Sequence, residues 1–147
     1  MKTTVKLRAE AVCPSHSRAD IAVRDLSFAI DEPTERGGTN AGPTPTDTAL
    51  GAFAGCTNVI GHKCASKLGI DIGALQISIE ADFDRRGVTL SEEVEVPFAA
   101  IAQSVRYSGN ATPQEIATLA AEVEKFCPLS KLFANSGTKL TTTWAKA

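Results

Sequence analysis

The chain has 147 residues, enough for one domain with a single core. Hydrophobic residues make up 43% and the net charge is −2, so neither nucleic acid nor an anionic lipid surface is an expected partner through bulk electrostatics. The opening MKTTVKLRAE has no apolar core and is not expected to be a signal peptide, and no uncharged apolar run reaches the ~18 residues of a membrane span; a cytoplasmic protein is expected.

The first half begins with strand patterns. Val5, Leu7, Ala9 and Ala11 alternate with Lys6, Arg8 and Glu10, which predicts a half-buried strand. Leu26, Phe28 and Ile30 repeat the pattern after a turn near Pro14 to Ser17. DEPTERGGTNAGPTP, residues 31–45, is loaded with Gly, Pro and turn formers and has no periodicity, as functional loops often do. Thr44 then suits an N-cap, Pro45 the first helical position, and Asp47 the acid of a capping box. The helix should run to about Leu68 and stop at Gly69. After Asp47 its first half has no charge and is apolar on every side, which predicts a buried central helix. Gly51, Ala52, Ala54 and Gly55 leave room there for another backbone to come close.

Leu75, Ile77, Ile79, Ala81 and Phe83 alternate strictly with polar neighbours in the cleanest strand of the chain. DRRG makes a turn, VTLSEEVEVP reads as irregular or short-strand, and Ile101, Val105 and Tyr107 mark another strand. Thr112-Pro113-Gln114-Glu115 is a second capping box, opening a helix with Ile116, Leu119, Ala120 and Val123 as its buried stripe. Pro128 disfavours helical geometry at Cys127 and starts a short third helix to about Asn135. Leu140, Thr142 and Trp144 fit a closing strand. The pattern predicts a single α+β domain over residues 1–147.

Four cysteines in a reducing cytosol are free, metal-bound or redox-active rather than a disulfide framework. Cys56 and Cys64 lie eight residues apart on one helix, about 12 Å along it, so they cannot reach each other. Cys127 follows Val123 by four residues and so continues the inward face of the second helix. It also sits at the N-cap of the third helix, where the dipole and free N–H groups lower a thiol's pKa. Cys56, in mid-helix, has no such help. An unshifted cysteine is only about 3% thiolate at neutral pH, so as a nucleophile Cys56 needs a cation brought to it. The competing reading makes Cys56 and Cys64 small buried hydrophobes. Cys13, before Pro14 in a turn, should be exposed. Cys13 and His16 have C-x-x-H spacing, with His62 and Cys64 as further candidate ligands. Those two lie about 200° apart on a helix, so no structural metal is expected.

Taken in order, the Gly-rich loop, the small-residue helix with Ala54-Gly55-Cys56, and Phe126-Cys127-Pro128-Leu129-Ser130-Lys131 resemble the OsmC/Ohr family of osmotically inducible and organic hydroperoxide resistance proteins. The resemblance implies an α+β fold of antiparallel sheets packed on long central helices, in an intertwined homodimer. It further implies thiol-dependent reduction of organic hydroperoxides, with Cys56 as peroxidatic and Cys127 as resolving thiol, joined as a disulfide and restored by a dithiol, often a lipoyl group. No cofactor is implied. Arg18 best matches the family's activating arginine, with Arg24 as runner-up, whereas Thr46 stands where the family has a glutamate to hold it. Asp47 beside it would point elsewhere on the helix. Phe53 and Phe126, each near a candidate cysteine, are expected to line the substrate pocket. The missing glutamate supports a different class as the alternative, a non-catalytic protein that binds a small ligand in the same apolar dimer pocket.

Overall fold

The structure, a computed structural model, describes residues 2–147. Its chain divides into two compact units, one ending at Gly51 and the other from Ala52 to Ala147.

The first unit is built on a three-stranded antiparallel sheet of β1 (Glu10–Val12), β2 (Ala19–Val23) and β3 (Leu26–Ile30), in that order. The β2–β3 hairpin, which periodicity alone does not reveal, turns through Arg24 and Asp25, with Arg24 at φ 58°. Residues 5–9, expected to be strand, stay outside the sheet, and Val5 and Leu7 are exposed. Glu10 already faces Ala22, one residue from the end of β2, so no partner strand remains for them.

The loop after β3 carries a turn of 3-10 helix at Thr34–Arg36 and closes on Asp31, whose side chain is fully buried. The Asp31 carboxylate accepts hydrogen bonds from the Thr39 hydroxyl and from the backbone N–H groups of Glu32, Thr39 and Ala41. The Asp31 N–H donates to the Pro43 carbonyl at 3.1 Å, so the segment is tied at both ends. A Cβ on Gly38 would overlap the Glu32 carbonyl, and one on Gly42 the Ala29 carbonyl, which is why this loop needs glycine at both positions. It delivers the chain to Thr44, whose Oγ1 accepts from the Asp47 N–H at 3.1 Å while the Asp47 carboxylate accepts from the Thr44 N–H at 3.4 Å. This capping box opens α1 (Pro45–Leu68), which ends at Gly69 with φ 68°, as the sequence predicts.

In the second unit β4 (Leu75–Phe83), β5 (Phe98–Tyr107) and β6 (Lys139–Lys146) form a sheet in that order. β4 and β5 are antiparallel, but β5 and β6 run parallel, so this sheet is mixed where antiparallel pairing is expected throughout. A parallel pair needs a long crossover. Here that crossover is α2 (Pro113–Phe126) and α3 (Pro128–Asn135). The expected turn at residues 84–87 is present, and residues 88–97, expected to be irregular or short strand, form turns and loop.

The core of this unit is a row of phenylalanines. Phe53 of α1 packs tilted against Phe133 of α3 at 5.6 Å between ring centroids, and Phe133 meets Phe98 at 5.3 Å and Phe98 meets Phe83 at 5.1 Å, both edge-on. Aromatic pairs at such spacing add to plain area burial. The row ties α1 and α3 to the sheet, and a Cβ on Gly61 of α1 would stand 3.4 Å from the Trp144 ring, so the helix lies close on β6. Within the second unit α1 buries Phe53, Thr57, Gly61, Cys64 and Ala65, a single stripe. Its opposite side is not buried as expected: Ala52, Gly55 and Val59 are exposed.

The Thr39 hydroxyl first, then the Ala41 and Glu32 N–H groups, hold the Asp31 carboxyl well below its ordinary 3.8. Such a carboxylate stabilises the fold above its unfolded pKa and loses that contribution as pH falls. Thermal melts should therefore give Asp31→Asn a midpoint several degrees below the parent at neutral pH, with the gap shrinking progressively below about pH 4. Equal midpoints at pH 7 would remove the clasp's structural role.

Candidate thiol site

Cys127 belongs to two helices at once. Its N–H donates to the Val123 carbonyl at 2.9 Å and closes α2, while its carbonyl accepts from Lys131 at 3.1 Å and begins α3. With φ −74° and ψ 113° it has the extended conformation that a following proline favours. Its sulfur takes the place of the usual N-cap oxygen and accepts from the Ser130 N–H at 3.4 Å. The side chain is thereby turned inward, and Cys127 is fully buried.

Cys56, half-buried on α1 between Phe53 and Thr57, meets it there. Cys127 Sγ donates to Cys56 Sγ at 3.2 Å, across 71 residues of sequence. Both thiols are free. A disulfide has its sulfurs about 2.05 Å apart, so closing the bond asks for a movement of about 1.2 Å.

The helix N-terminus does not win the electrostatic contest at Cys127. Burial pushes its thiol up, against the lowering effect of the Ser130 N–H, and contact with Cys56 adds to the rise. The expectation of a lowered pKa counted the dipole and missed the depth. Cys64 is buried too, and desolvation with the nearby Glu122 pushes its thiol up against the pull of Lys67.

A cavity of about 350 Å³ opens beside the pair. Phe53, Thr57, Gln103, Cys127 and Ser130 form its buried wall; Cys56 is not part of its lining. Thr57 Oγ1 and Gln103 Oε1 are buried without a hydrogen-bond partner. Gln103 Nε2 donates to Thr142 Oγ1 at 3.3 Å, so one end of that amide is satisfied and the other is not. Neither residue is singled out by sequence, because each sits in an ordinary alternation or helical stripe.

Of the other predicted site residues, Phe53 lines this cavity and Phe126 does not. Phe126 is exposed over a separate groove with Cys64, Ile60 and Leu68, its ring 6.0 Å from Lys67 Nζ. It follows the exposed side of α2, whereas the next residue turns in. In the first unit, Arg18 precedes β2 and its Nε donates to Asp20 at 2.9 Å, while Arg24 sits exposed in the hairpin turn. The Thr46 hydroxyl lies 3.2 Å from that of Thr44. Cys13 is exposed as expected, and among the described residues no three His, Cys, Asp or Glu side chains converge as metal ligands.

Residues 38–143 match the family described as OsmC-like protein. No curated protein matches the sequence. Among solved structures, the OsmC-like protein from Mycoplasma pneumoniae is similar at TM-score 0.82 and 18% identity, over 97% of this chain and 98% of that one. An organic hydroperoxide resistance protein OsmC from Legionella pneumophila gives TM-score 0.74 at 16% identity, over 98% and 99% of the two chains. The organic hydroperoxide resistance protein OhrB of Bacillus subtilis gives 0.61 at 17%, over 96% and 98%. With the family match spanning most of its length and the fold shared end to end, this chain belongs to the OsmC-like family.

Proposed function

We propose that this protein reduces organic hydroperoxides at Cys56, with Cys127 as the resolving thiol and a dithiol as the final electron donor. The approach of the two sulfurs to 3.2 Å carries the reading, together with relatives named for organic hydroperoxide resistance. In the first step the Cys56 thiolate attacks the terminal oxygen of the hydroperoxide. The O–O bond breaks, the departing alkoxide takes a proton to become the alcohol, and Cys56 is left as a sulfenic acid. The sulfur of Cys127 then attacks Cys56, water leaves, and a disulfide remains. A dithiol restores both thiols and is itself oxidised.

Arg18 is our candidate for the cation that activates Cys56. Its partner Asp20 offers an exposed pair, worth at most about 1 kcal/mol, so release of the guanidinium costs little. Thr46 cannot hold that cation by charge, in contrast to the family's glutamate.

The protein is proposed to act as a homodimer. The stripe Gly51, Ala52, Gly55 and Val59 of α1 is exposed, and so are Val12, Leu26 and Phe28 of the first sheet. A second copy would cover apolar surface that the chain itself leaves open.

Turnover of cumene hydroperoxide with dithiothreitol should fall about a thousandfold or more in Cys56→Ser. Cys127→Ser should consume about one equivalent of peroxide and then stall. Full activity in Cys56→Ser overturns the assignment. A parent protein that turns over no hydroperoxide favours the alternative of a non-catalytic small-ligand-binding protein. Light scattering should give about twice the 15.4 kDa chain mass, and a stable monomer contradicts the dimer.

A further inference from the structure

β5 is the central strand of the second sheet, and every second side chain along it turns to the same face. Ile101, Val105 and Tyr107 make the buried row largely apolar, yet Gln103 stands among them at 3% exposure. Thr57 interrupts the buried stripe of α1 in the same way, at 1%. Both line the cavity of about 350 Å³, and both carry an oxygen without a hydrogen-bond partner, Gln103 Oε1 and Thr57 Oγ1. An amide buried with one end unpaired is costly, and a leucine would fill the place without that cost. Buried polar groups almost always have partners, so two orphans in one wall mark a place built to receive a polar group.

The rest of the wall limits what that group can be attached to. Phe53, Val123 and Trp144 give it apolar surface. Among the described residues that line it, Glu124, exposed at the mouth, is the one charged side chain. Cys127 also belongs to the wall, but it is fully buried and its sulfur is engaged with Cys56 and the Ser130 N–H. A molecule in the cavity therefore sits beside the thiol pair and takes no part in its chemistry.

We infer that this cavity is a binding site for a small uncharged amide, recognised by Gln103 and Thr57. Gln103 Oε1 is an acceptor and calls for an N–H, while the Thr57 hydroxyl has a proton to give to a carbonyl. A carboxamide offers both from one planar group. A ring or short chain behind it lies against Phe53 and Trp144. A carboxylate of the same shape has no N–H for Gln103, brings a charge that no cation in the wall neutralises, and is repelled by Glu124 at the mouth. At about 350 Å³ the space is at the lower end of the range for small-molecule sites and suits a single ring.

The test is an NMR titration of the reduced, full-length protein without peroxide, so its outcome is independent of the thiol chemistry. Three probes share one ring: benzamide, benzoate and toluene. Benzamide should shift the Gln103 side-chain amide and Thr57 backbone signals in a saturable way, binding about tenfold more tightly than toluene. Benzoate should give no saturable shift. Gln103→Leu nearly keeps the volume and removes the acceptor; it should weaken benzamide about tenfold and leave toluene bound at least as well. Its melting temperature should match or exceed the parent's, because Thr142, which accepts from Gln103 Nε2 at 3.3 Å, is exposed and turns to water instead. Thr57→Val, the same shape without the hydroxyl, should weaken benzamide in the same direction and carries the test if Gln103→Leu melts early. Equal binding of benzamide and toluene, or benzamide binding unchanged in these variants, overturns the assignment. So does the absence of any saturable shift with benzamide, which would leave the cavity to water.

Discussion

A proline placed after a cysteine holds the site together. Pro128 cannot donate a hydrogen bond and keeps Cys127 extended, so α2 stops there and α3 begins at once. The cysteine sulfur then serves as the cap of the new helix, accepting from Ser130, and faces α1 rather than solvent. Phe133, one turn further along α3, stacks between Phe53 and Phe98 and fixes the short helix against α1 and the sheet. The sulfur-to-sulfur approach follows from these constraints. A lone α3 of eight residues would be marginal in water, so its position comes from packing and not from propensity.

Depth distinguishes the two thiols. A fully buried thiol is poorly suited to attack a solvent-borne substrate, and burial keeps Cys127 protonated through neutral pH. Cys56 is the more accessible of the two and is the one that receives the hydrogen bond. That arrangement agrees with an accessible nucleophile backed by a sheltered resolving thiol. Thr57 Oγ1 and Gln103 Oε1, both without a hydrogen-bond partner, lie on the Cys127 side. A mid-helix threonine usually returns its hydroxyl to the carbonyl one turn back, and Thr57 does not.

The elements with their own local signals were legible in the sequence. Both capping boxes, the Gly69 stop, the nine-residue alternation of β4 and the break at Pro128 each rest on chemistry within a few residues, and each stands where it was read. What failed depended on partners. The alternation from Val5 predicts a strand, but β2 ends too soon to pair with it. The β2–β3 hairpin carries no local signal, because Arg24 and Asp25 are not the Asn-Gly or Asp-Gly pair that usually announces such a turn. The parallel β5–β6 pairing is a matter of topology that alternation cannot express. At the site, the helix argument placed Cys127 correctly at an N-cap yet misjudged its acidity, since burial is invisible to spacing. Phe126 was read toward the pocket by adjacency to Cys127, whereas consecutive residues at a helix end point to different sides.

The function proposed for this protein depends on Cys56 and Cys127 working as a redox pair. Peptide mapping by mass spectrometry, after one equivalent of an organic hydroperoxide and alkylation of remaining thiols, tests it most directly. A redox pair should yield a Cys56–Cys127 disulfide with Cys13 and Cys64 alkylated. A sulfinic or sulfonic acid accumulating at Cys56 while Cys127 stays free, or four unmodified thiols, would contradict it.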